Sequence, residues 1–436
     1  MLKYLHLSNV GPAPEMAMEL GSRLNIITGD NGLGKSFLLD AAWWALTRRW
    51  PQEVNQLLSS GYPAQPANRK KGASISFTVE SKTTDVTYES KFVSRDQSWL
   101  GKAGRPWNPG MVIYAHSDGS FSVWDPARNY WKKRGSIDVQ DRLPAYVFSP
   151  KEVWDGLEVE IGGVQNVVCN GLLRDWASWL REDGVAAENM KLVLKELSPS
   201  GRPEDQLRPG PLTRMSLNDA RDIPSLKTGY ADCVPILHAS SGVRRVVALA
   251  YVLLWCWQEH RMAVTQLGEK PAQQVILLID ELESHLHPRW QRTILKSLLN
   301  LTNIMHSAAK IQLVCATHSP LILASAEPTF SEKTDAWFDL DMVRKGRKTR
   351  VELNKREFVR KGDVSNWLTS EAFDLREPRS LEAEEAILKA IEIVQGQPAT
   401  PVEISAVDRE LKSALGDVDR FWLRWSEFRN GLKGTR

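Results

Sequence analysis

The sequence predicts an α/β fold with a mixed central sheet, and three observations lead to this class. A glycine-rich loop separates a short apolar run from an amphipathic run near residue 30. Two later apolar runs, "VILLI" and "IQLVCA", have the continuous hydrophobicity of central parallel strands buried on both faces. Alternating segments between residues 73 and 124 predict hairpins, which we assign to a β-rich lobe inserted into the fold.

The glycine-rich loop lies in "NIITGDNGLGKSFLLDAAWWAL", which begins at Asn25. The residues before it predict a buried strand, and the apolar residues after it recur at helical spacing. Between them, Gly29, Gly34, Lys35 and Ser36 match G-x-x-x-x-G-K-[ST]. Glycine lets backbone N–H groups converge on an anion, and the helix N-terminus adds partial positive charge. We expect Lys35 to reach the β- and γ-phosphates of a nucleotide and Ser36 to hold Mg²⁺.

A pair of carboxylates follows the apolar run in "QQVILLIDELESHLHPRWQ". The pair is Asp280 and Glu281, and burial of such groups at a strand end is costly unless they serve a cation or a reaction. Asp280 suits Mg²⁺ binding, and Glu281 suits a general base that orients water. A strand that simply ends in a polar turn is the alternative.

A histidine ends the third apolar strand, in "KIQLVCATHSP". His318 at that strand end could contact the γ-phosphate. A structural role is the alternative, because a single histidine is more often structural than functional.

A small-residue turn opens the helix predicted in "HASSGVRRVVALAYVLLW". Ser240 is a helix N-cap candidate, and the same geometry creates an anion site. Arg244 and Arg245 in the first turn oppose the helix dipole, which indicates either an anionic partner or a solvated pair.

Composition gives few further constraints. The formal net charge of +3 over 436 residues is close to neutral, so overall charge does not decide whether nucleic acid is bound. The four cysteines are widely spaced without a CxxC pair, which predicts neither a zinc site nor a disulfide framework. The longest apolar run, "VVALAYVLLWCW", is too short to cross a bilayer, and the start does not resemble a signal peptide. We expect a cytoplasmic protein without a membrane partner.

These motifs together resemble the ABC-type ATPase heads of the RecF, SMC and OLD group, and not membrane transporter subunits. "LKYLHLSNVGPAPEMAMELGSRLNIITGDNGLGKS" is similar to the first strands and Walker A of that group. "SSGVRR" resembles its signature motif, with Ser241 and Val243 as departures, and "LLIDELESHLHP" resembles Walker B with the D-loop. "ATHSP" resembles the switch-histidine segment. The resemblance covers about residues 1–60 and 235–325.

The resemblance implies an ATPase site that uses ATP and Mg²⁺. It assigns catalysis to Glu281, Lys35 and His318, and metal binding to Ser36 and Asp280. The implied nucleotide-binding residues are Gly29, Asp30, Asn31, Gly32, Leu33, Gly34, Lys35, Ser36, Phe37, Ser240, Ser241 and Gly242. We place the Q-loop function within 148–170, a range that includes Gln165. The resemblance further implies a homodimer or higher homo-oligomer, in which ATP lies between Walker A of one chain and the signature of another.

The motifs divide the chain into a nucleotide-binding core and three additions. We assign 1–60 and 236–350 to the ABC-type ATPase core, 61–150 to the β-rich basic insertion, 151–235 to a helical lobe and 351–436 to a C-terminal helical extension. Basic residues in the insertion alternate with tryptophans, which predicts either a nucleic-acid surface or a solvated charged face with packed tryptophans. The basic residues are Arg69, Lys70, Lys71, Lys82, Lys91, Arg95, Lys102, Arg105, Arg128, Lys132, Lys133 and Arg134, and the tryptophans are Trp99, Trp107, Trp124 and Trp131.

Three functions are compatible with these motifs. The first is an ATP-hydrolysing switch in DNA-linked antiphage defence, with a separate effector protein and double-stranded DNA as a candidate partner. The second is a RecF-like ATPase of DNA repair or replication, and the third is an ATP-locked scaffold that sequesters a partner protein. An OLD-type nuclease domain is a poor fit, because Asp339 and Asp341 imitate its D-x-D without the acidic strand end that it requires.

Overall fold

The structure is a computed structural model. It describes residues 1–436 except 82–83, 102–106, 130–132, 135–136, 139–142, 162, 230, 305–308, 347 and 435–436. The chain forms two compact units, Met1–Gly362 and Asp363–Arg436. Within the described ranges, no helix combines the length and the apolar character that a membrane span requires.

The strands of the described residues all lie in the first unit. They are β1 (Leu2–Ser8), β2 (Glu15–Glu19), β3 (Leu24–Gly29), β4 (Ser74–Glu80), β5 (Asp85–Val93), β6 (Ser98–Trp99), β7 (Met111–Ala115), β8 (Phe121–Trp124), β9 (Lys133–Arg134), β10 (Ile137–Asp138), β11 (Tyr146–Phe148), β12 (Leu157–Ile161), β13 (Val164–Cys169), β14 (Arg208–Pro209), β15 (Ser225–Lys227), β16 (Val234–Pro235), β17 (Gln274–Ile279), β18 (Lys310–Ala316), β19 (Asp335–Lys345) and β20 (Lys348–Arg356).

The α-helices of the same ranges are distributed over both units. They are α1 (Lys35–Thr47), α2 (Pro51–Val54), α3 (Pro150–Asp155), α4 (Leu172–Glu182), α5 (Val185–Glu196), α6 (Ser241–Leu267), α7 (Pro288–Gln291), α8 (Ile294–Ile304), α9 (Pro320–Ala326), α10 (Val364–Leu368), α11 (Leu381–Val394), α12 (Pro401–Ala414) and α13 (Phe421–Gly434). Single-turn 3-10 helices lie at Pro203–Asp205 and Ile236–His238.

An eight-stranded mixed sheet forms the centre of the first unit. Its order is β11-β8-β7-β17-β18-β3-β19-β20. The five central strands, from β7 to β19, run parallel, and antiparallel strands flank them on both sides. Because the carboxyl ends of parallel strands meet at one edge, the loops after β7, β17, β18 and β3 are brought together there.

A second, antiparallel sheet has the order β2-β1-β4-β5-β6. Helix α1 contacts strands of both sheets and is buried along almost its whole length, so it lies between them. The core around it combines Trp43 and Leu46 of α1 with Phe77 of β4 and Leu278 of β17. This burial on all sides explains why α1 carries tryptophans and alanines in place of a polar face.

The long helix α6 covers the other face of the central sheet. Leu253 and Trp257 of α6 line a small cavity together with Ile113, Val275 and Leu277 of the parallel strands. Side chains of β17 therefore alternate between α1 and α6, and both faces of the strand are apolar. This is the arrangement that the continuous apolar run predicts.

Most strands of the predicted β-rich insertion at 61–150 are divided between the two large sheets, and β9 and β10 pair only with each other. β4 and β5 extend the antiparallel sheet, whereas β7, β8 and β11 belong to the central sheet. The range 151–235 contains α4 and α5 but also the separate β12–β13 hairpin. The predicted boundary at 350/351 falls inside β20, and the first compact unit continues to Gly362.

The second unit has its own hydrophobic core. Helices α11, α12 and α13 contribute Ile387, Leu411 and Trp425 to it. The Trp425 indole N–H donates to Asp408 at 3.0 Å, which satisfies the polar atom of this buried ring. These three helices lie within the range 351–436, which the sequence predicts to be a helical extension.

Candidate functional site: a nucleotide-binding edge of the central sheet

The predicted phosphate loop joins β3 to α1 at the carboxyl edge of the central sheet. Gly29 has a φ of 132°, and a Cβ there would lie 2.3 Å from the carbonyl oxygen of Leu340. Gly34 precedes α1 with a φ of 102°, and no described side chain caps the helix start. The first N–H groups of α1 therefore remain available to an anion.

The remaining residues of the loop differ in exposure. Leu33 is buried and anchors the loop in the core, whereas the polar and glycine positions around it face outward. The exposed positions are Asp30, Asn31, Gly32 and Ser36, and Phe37 is half-buried. This pattern leaves the backbone of the loop accessible on its outer side.

The ammonium group of Lys35 lies across the loop. Its Nζ donates to the carbonyl oxygens of Gly29 at 2.7 Å and Asp30 at 2.8 Å. The side chain is buried, and this burial lowers the pKa of Lys35 against the opposing attraction of Asp280 and other carboxylates. A cation held this way can transfer its hydrogen bonds from carbonyl oxygens to phosphate oxygens.

Asp280 directly follows β17 and lies deep in the site. Its backbone N–H donates to the carbonyl oxygen of Ala115 at 2.9 Å, at the end of the neighbouring strand β7. Its Oδ1 is buried without a hydrogen-bond partner in the described ranges. Burial raises the pKa of Asp280, while interactions with the hydroxyl groups of Ser36 and Ser117 lower it.

These residues fit a magnesium ion. An unpaired, buried carboxylate oxygen is costly, and a divalent cation would remove that cost. The Ser36 hydroxyl acts on the same carboxyl group, and hydroxyl and carboxylate oxygens are ligands that Mg²⁺ accepts. Ser36 and Asp280, the predicted metal ligands, are therefore together in the structure.

Glu281 has an unusual backbone conformation. Its φ of 48° lies in the left-handed region, which costs free energy for a residue that is not glycine. The Ser284 N–H donates to the Glu281 carbonyl at 2.8 Å and closes a tight turn after the strand. The turn directs the chain away from β17 immediately after the two carboxylates.

His318 follows β18, next to the phosphate-loop strand. Its side chain is half-buried, and burial together with the nearby Lys35 lowers the pKa of the imidazole. The imidazole is therefore neutral near pH 7 and can offer one N–H and one lone pair. This is compatible with contact to a phosphate oxygen.

Glu283 is a site residue that the sequence analysis missed. Its carboxylate accepts a hydrogen bond from the Thr317 hydroxyl at 2.6 Å and another from the His318 backbone N–H. It thereby connects the turn after β17 to the loop that carries His318. The only sequence signal was a third acidic residue in "DELE". The sequence does not indicate which residues it contacts.

We expect Glu283→Ala to lower the rate of ATP hydrolysis about tenfold, since misplacement of a site group by a fraction of an ångström is costly. Glu283→Gln keeps an acceptor for the His318 N–H and can still bond the Thr317 hydroxyl, so its rate should remain within about twofold of the wild type. Steady-state phosphate release from both purified variants checks this. Equal rates for the two variants would contradict the proposed connection.

The predicted signature turn begins α6. Ser240 is its N-cap, with Oγ accepting from the Val243 N–H at 3.4 Å, and both Ser240 and Ser241 are exposed. A Cβ on Gly242 would lie 2.4 Å from the carbonyl oxygen of His285. Glycine is therefore needed where this turn packs against the segment after Walker B.

Arg244 and Arg245 in the first turn of α6 do not form the predicted solvated or anion-facing pair. Arg244 is exposed, whereas the half-buried Arg245 donates to backbone carbonyl oxygens, among them those of Ser117 at 2.9 Å and Asp280 at 3.0 Å. A positive charge near a helix N-terminus is unfavourable, but hydrogen bonds from the guanidinium group to carbonyl oxygens offset this repulsion.

Gln165 is not brought to the site. It pairs with Glu160 in the separate β12–β13 hairpin and is exposed. The residues next to Asp280 on the β7 side are His116 and Ser117. Gln165 therefore does not supply the Q-loop function, whereas the placement of that function within 148–170 stays a prediction.

Two of the three tryptophans between residues 99 and 124 are buried, and Trp99 is half-buried. Trp107 and Trp124 are buried, and the indole N–H of Trp99 donates to the carbonyl of Ala64 at 3.0 Å. The burial of Trp107 and Trp124 contradicts base stacking by these two side chains. Of the other predicted residues, Lys82, Lys102, Arg105, Trp131 and Lys132 lie outside the described residues, as do the side chains of Lys133 and Arg134.

The D-x-D segment has a structural role. Asp339 is buried, accepts from the Thr28 hydroxyl at 2.8 Å and forms an ion pair with Arg356 at 3.2 Å. It therefore connects β3, β19 and β20. In the described part of the chain, no group of three or more His, Cys, Asp or Glu side chains is arranged to hold a metal ion.

The phosphate loop, the carboxylates after the adjacent parallel strand and the serine-capped turn define a P-loop nucleotide-binding protein of the AAA/ABC type. The chain belongs to the family described as "AAA domain, putative AbiEii toxin, Type IV TA system", whose model matches residues 24–324. A curated relative, "Retron Vc95 probable ATPase" of Vibrio cholerae serotype O1 biovar El Tor, is 46% identical over 148 residues. That match covers 34% of this chain and 24% of the relative, so the chain spans about a quarter of the relative's length.

Solved structures with a similar fold are more distant. The SMC head domain from Thermotoga maritima is 15% identical, with a TM-score of 0.38, over 82% of this chain and 99% of that one. The recombination mediator protein RecF, solved as "RecF-ATPrS in RecFOR pathway", is 13% identical, with a TM-score of 0.32, over 78% of this chain and 95% of that one.

Proposed function

We propose that the chain is a Mg²⁺-dependent ATP hydrolase. The observation that carries this proposal is the buried, unpaired Oδ1 of Asp280 next to Ser36, at the edge where the Lys35 ammonium also lies. A phosphate loop without a carboxylate could bind nucleotide, but hydrolysis needs a metal site and a group that orients water. Glu281 follows Asp280 at the same edge and supplies that group.

Each residue has a defined task in this proposal. Lys35 and the N–H groups at the start of α1 bind the phosphates, and Ser36 and Asp280 hold Mg²⁺. Mg²⁺ held by these two residues would supply positive charge that offsets the charge of the phosphate oxygens. Glu281 accepts a proton from the attacking water, and His318 donates a hydrogen bond to the γ-phosphate.

We further propose that two copies enclose the nucleotide. Ser240 and Ser241 are exposed, so the serine hydroxyls and the start of α6 are available to a second chain. In the pair, the turn of one copy would meet the γ-phosphate held by Lys35 of the other. Hydrolysis would remove that bridge and open the pair, which makes the assembly a conformational switch.

The direct test of hydrolysis is phosphate release by the wild-type chain with ATP, measured in Mg²⁺ and again after EDTA addition. We expect a steady rate that EDTA removes. A folded wild-type chain that binds ATP but releases no phosphate, with or without double-stranded DNA, would refute the hydrolase proposal.

The family and the relative suggest the setting in which the switch acts. The family description names a toxin of a type IV toxin–antitoxin system, and the Vibrio cholerae relative is named a retron ATPase. We therefore propose a role in DNA-linked antiphage defence together with a separate effector protein. Copurification of the chain with products of its neighbouring genes, compared in ADP and ATP, tests whether such a partner binds in one nucleotide state.

We propose that the chain binds double-stranded DNA through basic residues alone. Arg69, Lys70 and Lys71 are exposed in a loop that Asn9 fixes by donating to the carbonyl of Asn68 at 2.9 Å. A fixed basic loop can neutralise phosphates without reading bases. The buried tryptophans exclude base stacking by those rings but do not affect this electrostatic mode.

We expect Lys70→Glu with Lys71→Glu to weaken DNA binding roughly tenfold at low salt and to reduce the salt dependence by about two ion equivalents. Lys195→Glu with Lys227→Glu is the matched control, because these lysines are also exposed and the charge change is the same. Fluorescence anisotropy with a labelled duplex at several salt concentrations measures both. Equal DNA affinity in the two double variants would remove the proposed DNA surface.

A further inference from the structure

The guanidinium group of Arg245 connects two strand ends at the nucleotide-binding edge. Nη1 donates to the carbonyl of Ser117 at 2.9 Å, and Nη2 donates to the carbonyls of Asp280 at 3.0 Å and His116 at 3.3 Å. Nη2 also lies 3.5 Å from the carbonyl of Glu281. His116 and Ser117 follow β7, and the two acidic residues follow β17, so one side chain holds both segments.

The geometry of this contact favours arginine over other side chains. The guanidinium group is planar and carries five N–H donors in a rigid arrangement, so it can bond several carbonyls at once. Carbonyl groups beyond the ends of paired strands lack ladder partners, and leaving them buried without donors is unfavourable. A lysine could reach some of these carbonyls, but its single nitrogen could not bridge all of them.

The contact bears directly on the conformation of Glu281. The left-handed φ of 48° has to be stabilised by neighbouring bonds. Arg245 holds the carbonyl before this residue, and the N–H of Leu282 after it donates to the Ala316 carbonyl at 3.2 Å. The backbone on both sides of Glu281 is therefore fixed, and this fixes the position from which the Glu281 side chain extends.

The same arginine belongs to the first turn of α6, which carries Ser240. That turn packs closely against the segment after Walker B, because Gly242 meets the carbonyl of His285. The exposed serines and Glu281 are thus connected through one short, partly buried region. A displacement of the turn would be transmitted to the carbonyls that Arg245 holds.

We infer that Arg245 is a positioning residue for hydrolysis, which fixes Glu281 and the Ser240 turn as one unit without contacting the nucleotide. This inference rests on the proposed ATP hydrolysis at the same site. It predicts that loss of Arg245 impairs the chemical step and leaves nucleotide binding by the phosphate loop intact.

The test compares Arg245→Met, Arg245→Lys and the control Arg261→Met. Arg261 is exposed near the other end of α6, so the control makes the same substitution on the same helix. We expect Arg245→Met to lower kcat at least tenfold, while KM and the Kd of a fluorescent ATP analogue stay within threefold. Arg245→Lys should recover part of the rate and remain about threefold below the wild type, and Arg261→Met should match the wild type.

Two results would overturn the inference. One is a folded Arg245→Met variant with the wild-type kcat, and the other is a loss of nucleotide affinity as large as the loss of rate. If Arg245→Met does not fold, Arg245→Lys decides, and an unchanged kcat in that variant would be contrary evidence. An inactive wild type would instead refute the proposed hydrolase, so the two failures are distinguishable.

Discussion

Glu281→Gln is expected to lower kcat roughly 100- to 1,000-fold while the affinity for ATP stays within about threefold, as is typical when a general base is removed. The amide keeps the size of the side chain but cannot accept a proton from water. Asp280, Ser36 and Lys35 are unchanged, so the binding half of the site should persist. The substitution therefore separates binding from hydrolysis.

The measurement combines steady-state phosphate release with equilibrium binding of a fluorescent ATP analogue. Glu332→Gln is the matched control, since Glu332 is exposed and the substitution makes the same chemical change. A wild-type kcat in Glu281→Gln would exclude this residue as the base. If the biological function survives in the hydrolysis-dead variant, that result would favour the ATP-locked scaffold over the ATP-hydrolysing switch.

Lys35→Met is expected to weaken ATP binding roughly 100-fold or more. Charge-assisted hydrogen bonds contribute about 1.5–3 kcal/mol each, and Lys35 makes two in the loop that would be transferred to phosphate oxygens. Methionine has a similar length and no charge, so it should occupy the same buried space. The phosphate loop would then retain its N–H groups but lose its cation.

Equilibrium binding of the same ATP analogue tests this expectation. Lys296→Met on α8 is the control, because Lys296 is exposed and lies on a different helix. Thermal unfolding of both variants shows whether the fold is retained. Wild-type nucleotide affinity in a folded Lys35→Met variant would contradict the assignment of the phosphate loop.

The phosphate loop and the carboxylate pair could be predicted because their chemistry is local. A glycine such as Gly34 is required by its own backbone conformation, and β17 is apolar throughout because helices cover both of its faces. The order of the motifs then places them at one sheet edge. In these cases the physical constraint is visible within about ten residues of sequence.

The division of residues 61–150 between two sheets could not be predicted in the same way. β4 and β7 both show ordinary strand patterns, but β4 pairs with β1 and β7 pairs with the distant β17. The choice of partner depends on packing between segments that are far apart in the chain, which local periodicity does not encode.

The contacts of Arg245, which the sequence predicts to be solvated or to face an anion, and of Glu283 escaped prediction for a related reason. Both are charged residues that a sequence presents as ordinary solvated groups. In the structure, Arg245 bonds backbone carbonyls, and Glu283 accepts from a backbone N–H as well as the Thr317 hydroxyl. Backbone partners carry no residue-type signal, so only coordinates reveal such contacts.

We propose that ATP bridges two copies of the chain through the Ser240 turn. Light scattering of Glu281→Gln in Mg²⁺, with ADP and with ATP, measures the mass directly. We predict at least a doubling of mass in ATP and its loss when Ser240→Arg is added to the same variant. An ATP-bound Glu281→Gln chain that keeps the mass of one copy, or an ATP-dependent assembly that Ser240→Arg leaves intact, would contradict the account.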